Sequence, residues 1–239
     1  MPDSPALTPL LAPGLTALWQ SKDALSLTPG RGYAHPAAVP PGAVLFVGLA
    51  TSYNQTQNVN DDPAQPLVFD ITDNPGAFYR REMDFLAAVA PRLPYGHLDV
   101  LYQRESDPKV LQAALYDDGP GAAFGTAQLQ LTHELLTHLT HLPPNQRPRA
   151  LVVANRLAQE LLGYFHNDAT PTARPWLGLT FTEQPGLPDE EPFYRCEAWG
   201  MVPVLFTVPF SGLSERYNTP DKKAKKHARL AATLKRLLL

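Results

Sequence analysis

The sequence contains a single cysteine, Cys196, which excludes an intrachain disulfide framework and any metal centre built on several thiolates. It also has no apolar run approaching the roughly 20 residues that a membrane span requires, so no membrane association is expected. The first residues, with Asp3 and prolines at 2, 5 and 9, lack the basic start and short apolar block of a secretory signal, which predicts a cytoplasmic location. Glycine-rich phosphate loops are missing as well. Gly48 to Asn54 (GLATSYN) holds one glycine and no Gly-Lys-Ser/Thr, so the usual sequence support for nucleotide triphosphate hydrolysis and for dinucleotide-linked hydride transfer is absent, and no cofactor is expected. Ser211 lacks the glycines two before and two after it that a nucleophile elbow needs, which argues against a serine hydrolase. A formal charge of -3 gives no general attraction to nucleic acid.

What the sequence does have is 44% hydrophobic residues over 239 positions, enough for one continuous core, and 26 prolines, about twice the ordinary share. The prolines fall mostly between periodic segments and so punctuate an alternation of strands and helices. One domain over 1–239 is predicted, with an N-terminal helix and loop over 1–42 and an α/β core over 43–239. The spacing of Leu10, Leu11, Leu15, Leu18 and Trp19 predicts a helix over 7–22 that Pro13 starts or kinks, with 23–42 as loop. Ala43 to Leu49 is a short apolar run of the kind buried on both sheet faces. A polar stretch over 50–75 precedes a helix over 78–89 (FYRREMDFLAAV). Further strands are predicted at 97–103, 150–154 and 202–208, with an edge or hairpin strand over 193–199. Helices are predicted at 108–116, 127–142 and 156–165, and Pro220 opens a basic terminal one.

Strands separated by helical stretches imply a three-layer α/β/α arrangement around a mostly parallel sheet, whose ligands sit at the carboxyl ends of the strands. The candidate site therefore lies among 48–60, 102–106, 154–156 and 208–218. In the first of these, Gly48, Leu49, Ala50, Thr51, Ser52, Tyr53 and Asn54 line the expected pocket, and Thr51, Ser52, Asn54, Gln55, Asn58 and Asn60 offer neutral hydroxyls and amides that can hydrogen-bond a base, a sugar or a water. Phe69 and Phe78 supply an aromatic wall for a flat ligand, and Asn155 a further pocket amide. The alternative for this stretch is an ordered loop of Asx-turns. His133, Glu134 and His138 superficially suggest a zinc helix, but a spacing of five turns the two imidazoles about 140° apart, and His138 with His141 lacks a third ligand nearby. No metal is expected. The basic terminal segment reads either as a solvated helix face or as a phosphate contact through Arg216, Lys222 and Lys223.

Taken in order, VLFVGLATSYN, FYRREMDFLAAV, LVVANRLAQELLG and PVLFTVPFSGLSERYN with the helix KKHARLAATLKRL resemble the uracil-DNA glycosylase superfamily over roughly residues 43–239. The resemblance implies hydrolysis of the N-glycosidic bond of a damaged base in DNA, with DNA or a nucleobase-containing ligand as partner and a monomeric protein. It implies catalytic roles for Asn54 and Ser211, DNA contacts from Ser211, Gly212, Leu213 and Ser214, and Leu213 as the side chain that enters the duplex when the base flips out. Two family features are altered. Ala50 stands where the first motif carries an Asp or Asn that handles the attacking water, leaving Asn54 as the substitute. Val208-Pro209-Phe210-Ser211-Gly212 lacks the histidine of the closing motif. A donor of that kind is worth about 3 kcal/mol of transition-state stabilisation. A catalytically inactive nucleic-acid or interaction module of the same fold, and an enzyme acting on a small molecule in the same crevice, are the alternatives.

Overall fold

The run Val44–Ala50 (VLFVGLA) is almost wholly buried, because both of its faces are covered by helices and every side chain needs to be apolar or small. The structure, a computed structural model, describes residues 6–21, 28, 31–51, 66–71, 77–105, 120–165, 177–210 and 220–238. Its elements in chain order are α1 (Thr8–Trp19), β1 (Ala34–Pro36), β2 (Val44–Ala50), β3 (Leu67–Phe69), α2 (Ala77–Val89), β4 (Tyr95–Leu101), α3 (Pro120–Thr140), β5 (Ala150–Val153), α4 (Arg156–Leu162), β6 (Thr182–Gln184), β7 (Phe193–Arg195), a 3₁₀ turn (Glu197–Trp199), β8 (Val204–Phe206) and α5 (Pro220–Leu238).

Six strands form one sheet in the order β4-β2-β5-β8-β7-β6, and β1 pairs with β3 in a separate two-stranded ribbon. The four strands from β4 to β8 are parallel, while β7 and β6 close the sheet as an antiparallel hairpin. One face packs a core of Leu45, Val47, Leu98, Leu151 and Val153 beneath α1, α3 and α4. The other packs Val44, Phe46, Val152 and Leu205 beneath Leu86 and Val89 of α2 and Leu230 and Leu234 of α5. The chain is thus an α/β protein with a mostly parallel six-stranded sheet flanked by helices. Among the described residues, no helix is long and apolar enough to cross a membrane.

Several boundaries differ from the sequence expectation, each for a local reason. Pro13 neither starts nor breaks α1, which continues through it from a start with Pro9 in its first turn. Residues 34–36 and 67–69, both expected as loop, are strands that pair with each other, a long-range partnership that local spacing does not encode. The second parallel strand begins two residues earlier than expected, at Tyr95, and all seven of its residues are buried although it contains a histidine and an aspartate. Helix α3 starts at Pro120, seven residues upstream of its expected start. The expected strand over 193–199 ends at Arg195 and passes into the 3₁₀ turn, and its hairpin partner β6 was not anticipated. Helix α4 stops at Leu162, where Gly163 adopts a left-handed φ of 105° that closes the C-terminus. The helix expected over 108–116 lies outside the described residues.

Candidate functional site

The carboxyl ends of β2, β4, β5 and β8 open at one rim of the sheet, and the strand register brings their terminal residues into transverse rows. His97, Phe46, Val152 and Leu205 lie across the four strands in one row. Two residues nearer the rim, Gly48 is paired with Asp99. The same ladders continue through the bonds Ala154 N to Val47 O and Thr207 N to Val153 O, so Ala154 and Thr207 fall in line with them. The deeper row is mostly bulky and apolar. The rim row is Asp99, Gly48, Ala154 and Thr207, which combines two small residues with two polar ones.

A column of polar groups descends from this rim between β4 and α2. The Thr51 hydroxyl donates to Asp99 Oδ2 at 2.9 Å. His97 lies with Nε2 3.2 Å from Asp99 Oδ1 and Nδ1 2.9 Å from Glu82 Oε2. The Tyr95 hydroxyl donates to the same Glu82 oxygen at 2.7 Å. Tyr95, His97 and Asp99 share one face of β4 because strand side chains alternate with a period of two, and Glu82 reaches them from the helix face that also buries Leu86 and Val89. Glu82 and His97 are each 1% exposed.

Burial alone would lower the pKa of His97, but the carboxylates of Glu82 and Asp99 on its two nitrogens outweigh it and raise the imidazole to about 10. At neutral pH the ring is therefore a cation donating from both nitrogens. The column thus holds one imidazole between two carboxyl groups, of which Asp99 is the nearer to the rim. Burial, followed by the charge of Asp99, pushes the Tyr79 phenol up; burial and then Glu82 do the same for Tyr95. Both tyrosines remain neutral donors.

Gly48 has a specific task in this arrangement. A Cβ built on it would collide with Asp99 Oδ1 and stand 3.0 Å from His97 Nε2, so only glycine lets the carboxylate and the imidazole meet against the β2 backbone. An aromatic group covers the ring: Tyr79 and Phe78 present to His97 at right-angle geometry with centroids 4.9 and 5.8 Å away, and Phe69 stacks on Tyr79 at 6.1 Å.

Of the residues selected from sequence, Gly48, Thr51, Phe69 and Phe78 converge on this column. Leu49 and Ala50, at the end of β2, instead pack with the core of the opposite face. Asn155 serves α4 as its N-cap, accepting from Ala158 N at 3.1 Å. Lys223 donates to the carbonyl of Phe210 at 3.1 Å, at the rim, and Lys222 is exposed. Asn54, Ser52, Tyr53, Ser211, Gly212, Leu213, Ser214 and Arg216 lie outside the described residues. Sequence reasoning missed Glu82, His97, Asp99 and Thr207. The available signal was HLDV, a strand segment with two titratable residues two apart, together with a glutamate four residues before Leu86 on a helix that needed an apolar face.

The basic terminal helix is partly committed to internal contacts. Arg236 Nε lies 2.8 and 2.9 Å from the two carboxylate oxygens of buried Glu190, Arg229 donates to the Glu190 carbonyl at 2.6 Å, and Thr233 donates to the Glu191 carbonyl at 2.7 Å. Lys226 stands 4.0 Å from Glu191. Among the described residues, no three His, Cys, Asp or Glu side chains are grouped to hold a metal ion. No protein-family model matches this chain, and no curated protein matches it.

Proposed function

We propose that the protein hydrolyses the N-glycosidic bond of a damaged nucleobase in DNA, in the manner that its resemblance to uracil-DNA glycosylases implies. The observation that carries this reading is the common rim. The first and last parallel strands, β2 and β8, are separated only by β5 and run the same way, so Thr51 of GLATSYN and Val208 of VPFSGLS, which follow them, stand at the same end of the sheet. In the resemblance these two segments act on one substrate, and a protein in which they left opposite ends could not use both.

Three further features are consistent with it. An acidic side chain, Asp99, stands in the rim row, which suits a reaction whose sugar develops positive charge as the bond breaks. Phe69, Phe78 and Tyr79 form an aromatic group beside it for a flat base. Lys222, Lys223 and Arg81 supply cations near the same end, and Arg81 together with burial lowers the pKa of Lys223, with burial the larger effect. The absence of the closing-motif histidine favours a second reading, a nucleic-acid-binding module without catalysis.

The two separate in one assay. Incubation with uracil-containing and hypoxanthine-containing oligonucleotides, followed by alkaline strand scission, is expected to yield cleaved product. Absence of abasic product at high protein excess rejects hydrolysis, and salt-dependent binding to the same oligonucleotides then supports the second reading.

A further inference from the structure

We propose that Arg81 of α2 and Lys223 of α5 form one seat for a phosphate group of the nucleic-acid strand, at the mouth of the groove between the two helices. This rests on the nucleic-acid partner of the reading above and is independent of whether that strand is hydrolysed.

The geometry is set one turn below the seat. Helices α2 and α5 cover the same face of the sheet, and Phe210 at the end of β8 is wedged between them, its ring centroid 4.8 Å from Phe85 of α2 and 4.4 Å from His227 of α5. Arg81 precedes Phe85 by four residues and Lys223 precedes His227 by four, so each stands on the same side of its helix, one turn nearer the N-terminus. Helix α2 leads into β4 and α5 follows β8, two strands that run the same way, so both helices begin at the rim. The two cations are thus neighbours above a floor of Phe210. Lys223 Nζ donates to the Phe210 carbonyl at 3.1 Å, which anchors the ammonium at that mouth.

Three observations point to an anion there. Arg81 is exposed and forms no ion pair among the described residues. Burial, and after it the charge of Arg81, lowers the pKa of Lys223, as expected of two cations sharing a small volume. Arg80, Lys222 and Lys223 also stand in opening turns, where the backbone dipole disfavours positive charge, and the first turn of α2 has no acidic residue to offset it. Of the nearby carboxylates, Glu82 is committed to His97 and Tyr95, Asp221 lies two residues from Lys223 and so on the other side of α5, and Asp84 is exposed one turn farther from the rim. A phosphate answers all three: the guanidinium takes two of its oxygens side by side, the ammonium takes another, and the helix starts favour its charge. The seat is separate from the exposed face of α5 that carries Lys222 and Lys225.

The test is the affinity of the full chain for a uracil-containing oligonucleotide, measured by fluorescence anisotropy over a salt series, for the parent, Arg81→Gln, Lys223→Gln and the double variant. Gln at 223 keeps a donor for the Phe210 carbonyl, so urea midpoints are expected to hold. Each single variant is expected to weaken binding about fivefold, and the double variant to lower the salt slope by about one, the value of a single phosphate. A slope lowered by about two makes the residues separate surface contacts, and an unchanged slope removes them from the interface; either result overturns the seat. Parent-like affinity of Arg81→Gln overturns it even if Lys223→Gln does not fold. Inorganic phosphate at matched ionic strength is the second probe. If it raises the urea midpoint of the parent but not of the double variant, while the two bind the oligonucleotide equally, the seat belongs to the free ion and its place on the strand is overturned. Binding with the expected slopes but no abasic product rejects hydrolysis and leaves the seat standing. Absence of binding by the parent at about 50 mM salt rejects the nucleic-acid partner and the seat together.

Discussion

His97 and Glu82 face each other across the interface of β4 and α2 with 2.9 Å between Nδ1 and Oε2, in a place where each is 1% exposed. Two groups that water would solvate well are thus dependent on one another, with Asp99 completing the set on the far side of the ring. Such a set is costly to desolvate and more costly to break, because loss of one partner leaves the others charged and buried. Its properties are measurable without knowing the substrate.

The first is the response of stability to pH. His97 is raised from 6.5 to about 10 in the fold by Glu82 and Asp99 against the opposing effect of burial. The folded state therefore holds a proton that the unfolded chain releases above pH 6.5. The contribution of His97 is complete below pH 6.5 and is lost as pH climbs through about 10, at up to about 1.4 kcal/mol per pH unit. Tyr79 and Tyr95, which also face the site, are raised and so stay neutral across this window. Urea midpoints at pH 6, 8 and 9.5 are expected to fall in that order, and His97→Gln is expected to lose this contribution.

Glu82→Gln preserves shape while removing one of the two carboxylates. It is expected to destabilise the fold by about 3 kcal/mol. It is also expected to bring the loss of stability to a lower pH, since His97 then has Asp99 alone in its favour. Tyr95→Phe, which removes only a neutral donor to Glu82, is expected to cost about 1 kcal/mol. Denaturant curves at two pH values measure all three effects.

Gly48→Ala puts a methyl where Asp99 Oδ1 sits. The carboxylate has to swing away from His97, and the expected cost is about 2 kcal/mol from overpacking together with a weakened pH dependence. If chemical denaturation finds the variant as stable as the parent with the same pH profile, the contact between Gly48 and Asp99 is not as described.

Arg236→Ala removes the guanidinium from buried Glu190 and leaves its carboxylate with Leu187 N. A loss of about 2 kcal/mol is expected, against less than about 0.5 kcal/mol for the exposed Lys235→Ala on the same turn. Thermal or urea unfolding of the pair distinguishes a structural arginine from a solvated one.

Nucleic-acid contact by the same helix calls for different positions. Lys222 and Lys225 are exposed, whereas Lys223 is bonded to the Phe210 carbonyl and Lys226 stands near Glu191. Lys222→Glu with Lys225→Glu is expected to weaken DNA binding and reduce the salt slope by about two, with unfolding midpoints unchanged. An unaltered slope makes this face ordinary solvated surface.

The sheet was legible from composition because strands buried on both faces announce themselves as short apolar runs, and Val44–Ala50, Ala150–Val153 and Val204–Phe206 all do so. So was the rim, since parallel strands with helical crossovers must open their loops at one end. The ribbon of β1 and β3 was not legible, for its three-residue strands have no pattern apart from each other. The polar column was hidden for another reason. Nothing within their own segments links Glu82 to Asp99, and only the pairing that puts Asp99 opposite Gly48, with α2 laid over β4, reveals that they share a histidine. Asn155 misled in the opposite sense: an asparagine after a strand can face a ligand, yet here it is the cap that starts α4.

The grip of Arg229, Thr233 and Arg236 on Glu190 and Glu191 makes the last turns of α5 part of the same folding unit as the β6 and β7 hairpin, which lies some forty residues earlier in the chain. A nonsense codon or frameshift between Lys222 and Arg229 would therefore not yield a trimmed but serviceable protein. It would strip two acidic side chains of their counter-ions at the margin of the sheet, and quality-control proteases would meet a polypeptide that never closes.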